Sequence, residues 1–206
     1  GRAPATGRGA FLVLETLAEA LGVADGEKRI ALQGYGSGGR HFARFAVDAG
    51  WKIIAVADSG GTAYDADGLD LDALDRAKAE GNSVVDAKGV EARDSDAILS
   101  VEADVLVPAA MGGQITADNV GDLNVKAIVE IANGPVLPEA DDALREAGIK
   151  VAPDILANAG GVFVSWLEWV VNRSGVPMSN EEVDQRLKDR ITARAEAVAE
   201  KAEELD

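Results

Sequence analysis

Cysteine is absent from the sequence, which rules out a disulfide framework, a thiolate nucleophile or a sulfur-ligated metal. Histidine is nearly absent: His41 stands alone, so neither a histidine-based zinc site nor a Ser-His-Asp triad can be assembled within this chain. Basic residues are in short supply. With 20 Lys and Arg against 36 Asp and Glu, the formal charge is -16. A field of that sign repels phosphate backbones and argues against nucleic acid as a partner, although a small phosphate ligand can still be held locally on backbone amides. Two readings of the acid surplus stay open, an ordinary acidic protein and an organism living in high salt, where screening relieves self-repulsion. No apolar run approaches the roughly 18 residues of a membrane span. No charged start followed by an apolar segment marks a secretory leader, and the expected compartment is the cytosol.

What remains is an ordinary globular composition, 47% hydrophobic and 27% charged over 206 residues, enough for one domain with a sizeable core. The sequence opens at Gly1 without a methionine, which reads as a fragment or a processed product of something longer. No internal repeat, low-complexity stretch or interdomain linker interrupts it.

The chain is organised around Ile30 to Asp58. An apolar strand, Ile30-Ala31-Leu32, runs into Gly34-Tyr35-Gly36-Ser37-Gly38-Gly39, then a helix, a second strand at Lys52 to Ala57, and the acid Asp58. In a G-x-G-x-x-G spacing, Gly34 makes the tight turn, Gly36 lets backbone approach a pyrophosphate, and Gly39 lets helix pack close on strand. The helix N-terminus offers free N–H groups and positive dipole to phosphates. Asp58 is placed to accept hydrogen bonds from both hydroxyls of an adenosine ribose. A turn that serves packing alone is the alternative; the strand before, the helix after and the acid at the next strand end favour a dinucleotide site. The carboxylate repels a 2'-phosphate and so favours NAD, while Arg40 and Ser59 keep NADP possible.

Thr6 is read as the N-cap of a helix from Ala10 to Leu21 that buries Phe11, Leu14, Leu17, Ala18 and Leu21. Arg40 to Ala49 reads as the phosphate-facing helix, stopped by Gly50, with His41 a surface or packing residue. The acid-rich run Asp65 to Asp72 fails the calcium-loop pattern, because its sixth position is Asp70 and its twelfth Arg76. It reads instead as a turn and cap for a helix Leu71 to Ala79. Val84-Val85 is a short strand or a connection, and Asp94 to Leu99 a short helix. Strands follow at Ala103 to Val107, stopped by Pro108-Ala109-Ala110, at Val125 to Ile131, ending in Ala132-Asn133-Gly134-Pro135, and at Ile149 to Ala152; a helix lies at Pro138 to Ala147. Pro153 to Gly161 leads into an apolar helix, and Ser179-Asn180-Glu181-Glu182 is a capping box for a charged helix running to the C-terminus. Strand and helix in alternation specify a doubly wound, mostly parallel Rossmann-type α/β sheet with helices on both faces, whose ligands gather at the carboxyl ends of the strands. Gly34, Asp58, Ala109-Ala110 and Asn133 fall at such ends. Asn158 either caps the helix after it or bonds an amide of a ligand, and Ser165 either bonds its own backbone or a ligand; taken alone, the residues favour the structural role.

Four separated motifs then resemble one family. Arg2 through Gly9, the glycine turn with Asp58-Ser59, Ile131-Ala132-Asn133-Gly134-Pro135, and Pro153 through Gly161 with Ser165-Trp166-Leu167-Glu168-Trp169 look like the cofactor-binding half of glutamate dehydrogenase, within the Glu/Leu/Phe/Val dehydrogenases. The related leucine, valine and phenylalanine dehydrogenases lack this Asn133-Gly134-Pro135 form. The resemblance covers essentially the whole chain and implies a single NAD(P)-binding domain, residues 1–206, of a larger enzyme that deaminates L-glutamate oxidatively to 2-oxoglutarate and ammonia. By the same resemblance Thr6 contacts the cofactor near its nicotinamide end, and Ser37 its phosphate-ribose region. Asp58 with Ser59 takes the adenosine ribose, Ala109-Ala110 line the cofactor, and Asn133 and Asn158 orient the nicotinamide and its ribose. Arg2 and Ser165 help hold the side-chain carboxylate of glutamate. Ser37 and Gly38 depart from the commoner asparagine and valine of the turn, and Met111-Gly112-Gly113-Gln114 is richer in glycine than usual. The family's catalytic lysines and aspartate belong to an N-terminal domain not represented here, and its last helices fall beyond Asp206. The expected catalytic set within this chain is therefore empty: it should bind cofactor without turnover, and the whole enzyme should be a homo-hexamer. A non-catalytic dinucleotide-binding regulatory module, or the matching domain of another amino-acid dehydrogenase, are the alternatives.

Overall fold

In the computed structural model residues 3–205 are described. Seven strands form one sheet in the order β4-β3-β2-β1-β5-β6-β7: β1 Arg29–Gln33, β2 Lys52–Asp58, β3 Gly61–Tyr64, β4 Glu91–Arg93, β5 Val105–Pro108, β6 Ala127–Val129 and β7 Lys150–Ala152. From β2 to β7 neighbouring strands pair in parallel, while β3 runs antiparallel to both β2 and β4. β1 has β2 on one side and β5 on the other, so the strand order reverses beside β1. In open α/β sheets a crevice opens there, at the carboxyl ends of the strands.

Side chains alternate across the pleat. Ile30, Leu32, Val105, Val107, Ala127 and Val129 enter one core, and Ala31, Leu106 and Ile128 the other. The β1–β2 register shifts between Ile30 and Ala31, and Ile54 and Ala55 consequently share a face, as an extra residue in a strand requires. The first core lies under α1 Ala5–Thr16, α2 Ser37–Asp48, α3 Leu71–Ala79, α7 Ala159–Ser174 and α8 Asn180–Leu205; the second lies under α4 Ala97–Ser100 and α5 Asp141–Glu146. The short helix α6 Asp154–Ala157 links β7 to α7.

Several expected boundaries move. α1 begins at Ala5 and ends at Thr16, five residues ahead of the expected helix at both ends, with Pro4 at the N-cap position. Thr6 is thus inside the first turn and does not cap. Gly7 and Gly9 argued locally against helix, since glycine is costly there, but tertiary contact overrides propensity. A Cβ at Gly7 would collide with the backbone of α2 at Gly38 and Phe42, and one at Gly9 would lie 2.9 Å from the Gly160 Cα in α7. α2 starts at Ser37 rather than Arg40, which puts Ser37, Gly38 and Gly39 in its first turn. Gly50 ends it with φ +88°.

The chain between β2 and α3 holds a hairpin not among the expected elements: Asp58 pairs with Gly61 across Ser59-Gly60. Val84–Asp86 is a 3-10 turn, and β4 is a further unanticipated strand. Pro138–Ala140 forms a 3-10 turn ahead of α5. Asp70 caps α3 by accepting from the Asp72 N–H at 2.8 Å, and the reciprocal bonds of the Ser179–Glu182 capping box open α8. α8 buries Leu187, Ile191 and Ala195, while Val198 is 41% exposed. Arg2 lies outside the described residues.

Because α1 sits so close on α2, Gly7→Ala is expected to lower stability by about 1–3 kcal/mol through overpacking. A thermal melt reads this directly, and an unchanged midpoint would contradict the close seating.

Candidate functional site

Gly34, Asp58, Ala109-Ala110, Asn133 and Asn158 follow the carboxyl ends of β1, β2, β5, β6 and β7 in turn, on one rim of the sheet. The three motif glycines separate by cause. Gly34 has φ +105°, and a Cβ there would lie 2.8 Å from the Ala110 nitrogen; a Cβ at Gly39 would collide with the Gly34 carbonyl oxygen. The turn's own packing explains both. Gly36 is different: its φ of -79° suits any residue, it is exposed, and a Cβ would meet nothing within 4 Å. Nothing among the described residues requires glycine there, so the requirement points outward, into the space ahead of α2. That helix has no side-chain cap and no acid in its first turn, which leaves its leading N–H groups and its positive end facing the rim.

Asp58 closes β2 with a carboxylate that is already engaged. Oδ1 accepts from the Gly60 N–H at 2.9 Å and from Ser83 Oγ at 2.6 Å. Oδ2 accepts from Lys78 Nζ at 2.8 Å and from the Val84 N–H at 3.1 Å. These four donors fill the four lone-pair positions of a carboxylate. Burial pushes the Asp58 pKa up, but Lys78, Ser83 and the two backbone donors outweigh it and hold the group below its ordinary value. A ribose would therefore exchange partners with Asp58 rather than meet bare oxygens. Ser59 is exposed beside it. Arg40, expected near the ribose, is instead paired with Asp75 at 2.7 Å, which also takes Arg44 and the Tyr35 hydroxyl. Tyr35 belongs to the glycine turn, so Asp75 ties that turn to α3.

At the other end of the rim α1, α2 and α7 converge. The space a Cβ would need at Gly161 is occupied by Thr6 Oγ1, and Thr6 also comes close to Gly38, so Thr6 bridges the glycine-turn helix and α7. Ser37 Oγ lies 3.5 Å from the Ala3 carbonyl. Asn158 occupies the N-cap position of α7 without making a side-chain cap. Its Nδ2 donates instead to the Ile131 carbonyl at 3.2 Å and to Asn133 Oδ1 at 2.8 Å, so the two asparagines predicted separately are in contact. The glycine-rich stretch after Ala110 is bonded to the same loop, Gly113 N–H to the Gly134 carbonyl at 2.8 Å and Gln114 N–H to that of Pro135. Ser165 makes the backbone bond open to it in a helix, donating to Gly161 at 3.0 Å. His41 bonds the Ser37 carbonyl one turn back.

Sequence reasoning missed Lys78, Ser83 and Glu130. Nothing in spacing singles out Lys78. Ser83 carries a signal, the S-x-x-D pattern that closes as a capping box with Asp86, and Glu130 carries another, an acid set within the apolar run Ile128 to Ile131. Apart from the rim, an apolar groove of about 1360 Å³ runs between α7 and α8, lined by Ile155, Val162, Trp166 and Val198 among others. Ile155 is 82% exposed and Val162 71%.

A reversing parallel sheet with a glycine turn, an uncapped helix N-terminus and an acid at the second strand end defines the Rossmann-type class. Residues 1–206 match the model of the glutamate/leucine/phenylalanine/valine dehydrogenases, and the chain belongs to that family. It is 39% identical over 99% of its length to the NADP-specific glutamate dehydrogenase A1 of Halobacterium salinarum, covering 49% of that protein. It is 38% identical over its whole length to the NADP-specific glutamate dehydrogenase of Synechocystis sp., covering 50%. A hetero-hexameric glutamate dehydrogenase from Thermus thermophilus superposes with TM-score 0.89 at 36% identity, over 99% of this chain and 48% of that one. The chain thus spans about half the length of these relatives.

The depressed Asp58 pKa has a definite sign. Its stabilising contribution is present above the unfolded carboxylate value, near pH 4, and is lost as pH falls through the lower folded value. Asp58→Asn is expected to make thermal stability less dependent on pH below about 4; parallel acid limbs in variant and parent would contradict the described hydrogen bonds.

Proposed function

We propose that this chain is the NAD(P)-binding domain of a glutamate dehydrogenase, residues 1–206 forming one cofactor domain of a longer enzyme. The observation that carries the reading is Gly36: a glycine that the fold does not need, exposed ahead of an uncapped helix N-terminus, as close approach of a pyrophosphate to backbone demands. The rest of the rim suits the remainder of the ligand. Asp58 and Ser59 would take the adenosine ribose, Gly38 and Ser37 stand beside the phosphates, and Ala109-Ala110 offer small surface for a flat ring. Asn133 and Asn158, with Thr6 behind them, stand where a nicotinamide carboxamide and its ribose can be bonded. Asn158 gives one N–H to Asn133, which leaves the Asn133 amide nitrogen available to a ligand.

When bound, NAD(P) supplies the hydride acceptor for oxidative deamination of L-glutamate to 2-oxoglutarate and ammonia. This chain's residues orient it, and orientation is a large share of such catalysis. Ser165 and Arg2 are proposed to hold the substrate's side-chain carboxylate; Ser165 lies one turn beyond Gly161, on the helix that Asn158 opens. No side chain here is assigned to proton transfer. The relatives carry about as much chain again, and the apolar face along Ile155, Val162 and Trp166 is proposed to pack against that half, in a hexameric enzyme of the cytosol.

Cofactor choice turns on Lys78. Asp58 alone would repel a 2'-phosphate, but its charge is answered by the Lys78 ammonium at 2.8 Å, and with Ser59 and Ser83 the same cation can bond a phosphate. NADP is accordingly accepted alongside NAD, in keeping with the names of the two relatives above.

Calorimetric titration of NADH and NADPH tests this. The parent chain is expected to bind both and to show no glutamate-dependent reduction by itself. Gly36→Ala should bind each at least about tenfold more weakly while losing under about 1 kcal/mol of stability, the scale of an N-cap change. Lys78→Met should weaken NADPH more than NADH, by about tenfold in the ratio, the scale of one charge-assisted hydrogen bond. Absence of binding by the parent would defeat the reading.

A further inference from the structure

Three polar side chains are buried among the described residues, those of Thr62, Asp104 and Glu130. Thr62 bonds a carbonyl, and Asp104 is answered by Lys126. Among the described residues Glu130 makes no ion pair and accepts from backbone alone, Oε1 from the Val136 N–H at 3.2 Å and Oε2 from the Asp154 N–H at 2.7 Å. Burial pulls its pKa up against those two bonds, and the carboxylates of Asp154 and Asp141 add to the rise. An apolar side chain would fill the space without such a cost.

The location explains what is gained. β6 and β7 pair in register up to Val129 and Ala152, and the Glu130 N–H makes the next bond, to the Ala152 carbonyl at 3.1 Å. There the ladder stops and the two chains turn into separate loops. Past that point side chains join them. Glu130 reaches the amides of both loops, Asp154 Oδ2 accepts from the Gly134 N–H at 2.8 Å, and Asn158 bonds Ile131 and Asn133. Asn133 lies between the two Glu130-braced ends of the first loop, and Asn158 one turn after Asp154 in the second. We propose that Glu130 is a positioning residue: it extends the β6–β7 pairing beyond the sheet and sets the separation of Asn133 and Asn158, so that both amides meet the nicotinamide end of the cofactor together.

This rests on the dinucleotide reading above, and the test keeps the two apart by comparing NADH with ADP-ribose, which lacks the nicotinamide. Glu130→Gln keeps the shape but turns an N–H₂ group toward a backbone donor. Its affinity for NADH is expected to fall about tenfold, with ADP-ribose affinity held within about twofold, as loss of one charged acceptor at one end would give. The double variant with Asn158→Ala should bind NADH no more weakly than Asn158→Ala alone, because both changes act through one contact. Equal losses for the two ligands, no loss, or additive losses would overturn the proposal, as would a parent chain that does not prefer NADH. A parent that binds neither ligand would remove the dinucleotide reading itself and the proposal with it. Should Glu130→Gln melt below the assay temperature, Asp154→Ala removes the companion bond to Gly134, and the same selective loss of NADH is expected.

Discussion

The site depends on how closely α1 can approach α2 and α7. Side chains would hold these helices apart, and the contact positions, Gly7, Gly9 and Gly160, have none. Gly9 and Gly160 meet almost backbone to backbone. The approach carries Thr6 into the angle between the glycine-turn helix and the start of α7, so residues contributed by opposite ends of the sequence share one rim. A small shape change in α1 would therefore act on the glycine-turn helix and on the start of α7 together.

Acidic residues on that rim serve as acceptors for loop amides. Asp58, Glu130 and Asp154 each accept from backbone N–H groups of loops that leave strand ends. Loops at the carboxyl edge cannot satisfy their amides through the sheet, and a carboxylate that takes two of them does what a further turn of ladder would otherwise do. Lys78 and Arg40 lie on opposite sides of the same economy. One neutralises Asp58; the other is held at Asp75.

The strand, glycine turn, helix and acid from Ile30 to Asp58 were legible because each residue type there has a mechanical reason at that spacing. The parallel sheet followed from alternation. What was not legible depended on contacts between distant segments. Gly7 and Gly9 resemble a loop in sequence and are helical because α2 and α7 leave room for nothing larger. The β2–β3 hairpin was hidden because Ser59-Gly60 reads equally as the exit of one strand and the turn into another, and β4 was hidden because Glu91 and Arg93 give it no apolar face. Asn158 looked like a helix cap, and it does stand at the cap position; only the fold brings Asn133 within reach of its amide. Lys78 has no local signature at all, since its meaning lies in the residue it faces.

The four donors gathered on Asp58 have a thermodynamic consequence. A hydroxyl that arrives there trades one satisfied partner for another, so the heat released at that end should be small, and the ammonium or hydroxyl it displaces must find water or a new acceptor. Such a subsite recognises by fit more than by strength. The grip on a dinucleotide would then come mainly from the uncapped amides ahead of α2, with the acid end acting as a check on which sugar is admitted.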